Sequence, residues 1–181
     1  MRNQYLAIGD SLGVYNVQNE TKYRIKLHDI YEVTKELFFV WDTIRKSEAN
    51  FQRLLQALDE QEQKDITDAL QSLVEIGLIV DLKTLPLPDL VKNYSMFPKG
   101  HVVKKTEIGY EILLLRKHKS IDVPIIPYLV WEHAHPFVEL VDIIEIVKEH
   151  TGAEEEKIYE QLQAWLPILI STGLATLKPL R

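Results

Sequence analysis

Cysteine does not occur in this 181-residue chain. Its absence excludes a disulfide framework, a thiolate zinc site and a cysteine nucleophile together, and it fits an intracellular, cytoplasmic location. Glycine is sparse, with seven residues scattered singly. No Gly-rich phosphate loop or Walker pattern can be built from them, and "IGDSLG" near the start is not a GxSxG nucleophile elbow. Long apolar runs are missing as well. The longest uncharged stretch, "QLQAWLPILISTGLATL" at 161–177, is short for a membrane span and contains Gln, Pro, Ser, Thr and Gly. It reads as a buried helix followed by a strand, so no membrane association is expected. The opening "MRNQYLAIGD" has neither an apolar h-region nor a cleavage site, and no signal peptide is expected.

Excess positive charge is missing too. The chain carries 21 basic and 27 acidic residues, a net charge of −6, without the cationic surplus that dominates nonspecific nucleic-acid affinity. What is present is an ordinary globular balance, 46% hydrophobic and 27% charged, enough to bury a core without metals or crosslinks.

One string occurs twice. "FFVWDTIRK" begins at Phe38, and "YLVWEHAHP" begins at Tyr128. The flanks agree. Phe51, Leu54, Leu55 and Leu58 follow the first Trp at i, i+3, i+4, i+7 spacing, and Leu140, Ile143, Ile144 and Val147 follow the second; each set defines one helix face. A further helix follows in each half. Ile66, Leu70, Leu73, Val74 and Gly77 match Leu162, Leu166, Leu169, Ile170 and Gly173. Both end in Gly-Leu and a short apolar strand, where glycine suits a left-handed helix cap. Alternation at Tyr23, Ile25 and Leu27, and at Ile108, Tyr110, Ile112 and Leu114, opens each half with strands.

The expected fold is therefore α+β: two tandem winged-helix-like modules, each a small sheet plus three helices, forming an internal repeat. Module 1 is expected over 1–82 with helices near 30–45, 48–58 and 61–76, and module 2 over 101–181. The segment 83–100, with Pro86, Pro88 and Pro98, is expected as an extended connector that packs through its apolar residues. Pro167 falls inside the last helix and is expected to kink it.

This order of strands, a Trp-bearing helix, a short helix and a helix ending in Gly-Leu resembles winged-helix domains. More narrowly, it is similar to the small peptide chaperone of pyrroloquinoline quinone biosynthesis, whose fold recurs as the precursor-recognition element of ribosomal-peptide maturation. That family pairs an aliphatic-Trp string with a Gly-Leu helix end. Here Val40 and Trp41 go with Gly77 and Leu78, and Val130 and Trp131 with Gly173 and Leu174. The Asp-Gly turn usual after the Trp helix is replaced by "RKSEA" and "HAHPF". The resemblance implies recognition of a peptide or protein partner.

Side-chain chemistry is thin. His133 and His135 sit at a helix end, where i and i+2 diverge, and a cationic His there is favoured by the helix dipole; no metal is expected. Glu154, Glu155 and Glu156 precede the last helix and complement its dipole. Arg116, Lys117 and Lys119 form the most basic run, at the end of an expected hairpin, a candidate contact for a partner or for phosphate. The two candidate recognition helices are acidic, which disfavours the major groove. The expected function is a non-enzymatic binding or adaptor protein for a protein or peptide partner, with no cofactor. The alternative is a nucleic-acid-associated transcriptional regulator acting through the basic hairpin.

Overall fold

The computed structural model describes residues 5–17, 20–46, 51–114 and 119–180. The chain is mixed α+β, with seven helices and four small antiparallel sheets among the described residues. No helix among them is long and apolar enough to cross a membrane. Two compact units divide between Leu85 and Pro86.

Unit 1 opens with strand β1 (Tyr5–Ala7), then a meander of β2 (Asp10–Val17), β3 (Glu20–Lys26) and β4 (Ile30–Val33). Helices α1 (Lys35–Lys46), α2 (Phe51–Gln56) and α3 (Glu60–Glu75) follow, and β5 (Ile79–Asp81) returns to pair antiparallel with β1. The first helix starts five residues later than its expected position, because Ile30–Val33 is strand β4, paired to β3. Thr34 ends that strand and caps α1, its hydroxyl accepting the Leu37 N–H at 3.3 Å. Asp59 and Glu62 form a reciprocal capping box on α3. The core is built from Leu6, Ile8, Ile25, Val40, Trp41, Leu73 and Leu78. Leu54, expected on the buried face of α2, is 50% exposed.

Unit 2 begins inside the segment expected to be an extended connector. Residues 87–93 are helix α4 (Leu87–Asn93), and β6 (Tyr94–Pro98) follows. Pro86 is the N-cap of α4 and Pro88 lies in its first turn, positions where a missing N–H breaks no helical bond. Leu87, Leu90 and Val91 are buried. Then come β7 (His101–Lys105), β8 (Gly109–Leu114) and β9 (Lys119–Pro124), helices α5 (Ile125–His133), α6 (Leu140–Thr151) and α7 (Glu155–Thr172), and β10 (Ala175–Pro179), which pairs with β6. Pro127 falls in the first turn of α5, and α7 continues through Pro167.

Each unit has a two-stranded antiparallel ladder and a three-stranded meander with one bulge, and the ladders differ in length. Ala7 pairs with Ile79, and Pro98 with Ala175. Ser11 and Gly13 flank a bulge opposite Ile25 and Arg24, while Val102 and Lys104 flank one opposite Ile112 and Glu111. Tyr23 pairs with Val33, and Tyr110 with Val123. Between the short first strand and the meander stand Gly9 at φ 91° and Gly100 at φ 112°. A Cβ on either would lie 2.8 Å from a carbonyl oxygen of the meander, that of Lys26 or of Leu113. The chain therefore turns there with no room for a side chain.

Candidate functional site

The side chains that position the two meanders are aromatic. Tyr23 of β3 lies 5.1 Å from Phe38, and Phe38 lies 5.8 Å from Trp41. Tyr110 of β8 stacks on Tyr128 at 3.9 Å, and Tyr128 lies 6.2 Å from Trp131. Each row joins the central strand of a meander to the helix that follows it, with offset or tilted ring contacts adding to apolar burial. Burial, followed by the hydrogen bond to Glu132, raises the Tyr128 phenol well above the usual tyrosine range. Trp41 Nε1 donates to Ile8 O at 2.9 Å, and Trp131 Nε1 donates to Leu174 O at 2.7 Å. Those carbonyls belong to opposite partners of the two-strand pairs, since Ile8 N donates to Leu78 O and Lys99 N to Leu174 O.

This anchoring fixes β4 and β9, the last strands of the meanders. β4 passes through Thr34 directly into α1, and β9 ends at Pro124, the N-cap of α5. Each is an edge of its sheet, and its ladder carries no bulge. Pleating puts Tyr31 and Val33 on the core side of β4, and Ile121 and Val123 on the core side of β9, opposite Ile25, Tyr23, Ile112 and Tyr110. The other face carries Glu32 and Asp122 at matching register positions, opposite Arg24 and Glu111. Glu32 is held by Arg24 Nε at 2.7 Å, with Lys22 Nζ at 3.6 Å. The hydrogen bonds from Arg24 lower its carboxyl below the usual range.

Of the basic run, Arg116 and Lys117 lie outside the described residues, and Lys119 is exposed at the start of β9, paired in register with Leu114. The three are thus not brought together by any described geometry. On β7–β8–β9 there is an open depression of about 940 Å³ lined by Lys104, Lys105, Glu107, Glu111, Ser120 and Asp122, among others. Two lysines face three carboxylates there, and Lys104 is bound to Glu111 at 3.3 Å. Hydrogen bonding from Ser120, then from Lys104, lowers the Glu111 carboxyl. Of the two lysines, Lys104 is already compensated by Glu111.

His133 ends α5 and His135 lies beyond it, and the two rings have different partners. The His133 ring stacks on His150 at 5.3 Å and 4°. His135, beyond the helix end, accepts the Phe137 N–H on Nδ1 at 3.4 Å. Among the described residues no group of three or more His, Cys, Asp or Glu could hold a metal. Glu154 is the N-cap of α7, with Glu155 and Glu156 in its first turn. Lys148 lies 3.5 Å from both Glu145 and Glu155, and attraction to Glu145, then bonding to Glu155, raises its ammonium pKa.

Protein-family models, curated proteins and solved structures were each compared with the chain, and none matches.

Proposed function

We propose that the chain is a tandem pair of winged-helix-like modules, and that it works as a non-enzymatic binding protein, taking a peptide or protein segment onto the free edges of β4 and β9. The observation that carries this reading is that the same edge recurs in both units. It is the last meander strand, unbulged, apolar on the core side, carboxylate-bearing on the other side and continuous with the Trp helix. Strand addition gains main-chain hydrogen bonds from such an edge, and alternate side chains supply selectivity. Tyr31 and Val33, or Ile121 and Val123, offer an apolar row that an added strand would extend. Glu32 and Asp122 disfavour pairing of an edge with its own copy, since like charges would approach across the new ladder, while a foreign strand carries no such penalty. The resemblance to precursor-recognition elements points the same way. The element order, with three meander strands before three helices, supports it.

The test is site-specific photo-crosslinking in the native cell. A photoreactive residue placed at Ile30 or Ser120, both exposed, is expected to trap one and the same partner. The same group at Leu54 or Ile146, exposed helix positions, should trap none. Trapping from the helix positions alone would refute edge recognition.

A further inference from the structure

Four strands form the outer edges of the two meander sheets among the described residues: β2 and β4 in unit 1, β7 and β9 in unit 2. An unpaired edge is a template for another strand, and proteins blunt such edges with charge, proline, bulges or short length. Three of the four are blunted against pairing with their own copies. β4 has four residues and carries Glu32. β7 has five residues, a bulge, and ends in Lys104 and Lys105. β9 carries Lys119 and Asp122 and ends in Pro124. β2 differs from all of them. It is eight residues long, and its one charge, Asp10, stands at its first position. Its bulge lies early, between Ser11 and Gly13. Beyond it the strand reads Gly-Val-Tyr-Asn-Val over 13–17, with no charge and no proline. Val14 is 52% exposed and Val17 is 45% exposed.

We propose that β2 is a homotypic docking strand, and that two copies of the chain pair along it antiparallel, joining their meanders into one six-stranded sheet. Charge selects a second copy as the occupant. Lysines or carboxylates on an edge repel their own images across a two-fold axis, and residues 13–17 present none. The nearest charged residues, Glu20, Lys22 and Arg24, stand one strand back on β3, and the Arg24 guanidinium reaches over the Tyr15 ring at 4.1 Å. At about 4.8 Å per strand, the backbones of the two β3 strands would be roughly 14 Å apart. Arg24 is moreover already paired with Glu32.

Shape selects the register. With the two-fold axis through Tyr15, Val14 meets the other copy's Asn16, and Val17 meets its Gly13. Directly paired residues share a sheet face, so Val17 would stand over Gly13, where a Cβ would have no neighbour within 4 Å. The exposed valine thus fills the one bare position on that edge. A pairing of about five residues buries less than the ~1,200 Å² of a standard interface, so the dimer is reversible and concentration-dependent.

Sedimentation equilibrium of the full chain from about 10 µM to about 1 mM, a range suited to small interfaces, is expected to show a monomer–dimer equilibrium. Val14→Lys should weaken it roughly tenfold, because residue 14 stands diagonally across the axis from its own copy and gains a like charge there, and Val17→Lys should weaken it through loss of the apolar contact over Gly13. Leu54→Lys, at a similarly exposed position on α2, should leave it unchanged. Amide exchange of the unaltered chain is an independent readout, with the amides of 13–17 expected to slow as concentration rises. A chain monomeric throughout would overturn the proposal. So would a dimer that ignores both valine changes, or one whose formation leaves β2 exchange unaltered.

Discussion

Trp41 Nε1 donates a 2.9 Å hydrogen bond to Ile8 O, across 33 positions of sequence. The indole is fully buried, and the bond ties the first helix after the meander to the chain just past β1. Trp131 bonds Leu174 O in unit 2, just before β10, on the opposite partner of its two-strand pair. Each Trp thus combines a large apolar contact with a hydrogen-bond partner for its own buried N–H.

Trp41→Ala and Trp131→Ala are each expected to lower stability by about 3–5 kcal/mol through lost burial and the cavity left behind. Trp→Phe at either position should cost less, about 1–3 kcal/mol, since it keeps most of the apolar contact but removes the donor. Urea unfolding followed by circular dichroism gives both numbers. A Trp41→Ala chain within about 1 kcal/mol of the original would show that the indole is not an anchor.

Gly9 and Gly100 make a second matched pair. Alanine at Gly77, also at positive φ but with open space around its Cβ position, should cost about 1–3 kcal/mol from backbone strain alone. Alanine at Gly9 or Gly100 should cost more, because a carbonyl oxygen stands 2.8 Å from the new atom. The ranking is checked by the same unfolding measurement, and equal costs at the three sites would contradict it.

Helices were the most legible part of the sequence. Apolar spacing placed α3 within one residue of its observed Glu60–Glu75, since a buried face writes itself at i, i+3, i+4. The edge strands were harder to see. In β4, Ile30 and Val33 together with Leu37 also fit a helical period, so the strand was absorbed into the helix that follows. In β2, the bulge before Gly13 shifts the pleat by one residue and breaks the alternation that marks a strand. Prolines misled at 83–100, because Pro86 and Pro88 start a helix there instead of preventing one. The candidate edges consist of backbone, which no residue type announces, whereas the basic run Arg116, Lys117 and Lys119 was conspicuous in sequence.

The charge placement makes weak binding to nonspecific duplex DNA the expected result. α3 carries exposed Glu60, Glu62, Asp65, Asp68 and Glu75 against Lys64, and α7 opens with Glu155 and Glu156. A helix of that sign is repelled by the phosphates lining the major groove. Titration of labelled duplex at about 150 mM salt should give a dissociation constant weaker than about 100 µM. Micromolar binding abolished by changing Arg116, Lys117 and Lys119 to Ala would favour the nucleic-acid regulator instead.

The most direct test of edge recognition is an NMR titration of the full chain with the partner segment trapped by crosslinking. If β4 and β9 accept an added strand, the amides of Ile30–Val33 and of residues 120–123 shift on binding and exchange more slowly with solvent, while the exposed faces of α3 and α7 keep their free-state shifts. Perturbation confined to α3, α7 or the β7–β8 side of the depression, at Lys104, Lys105 and Glu107, with both edges unchanged, would contradict the account.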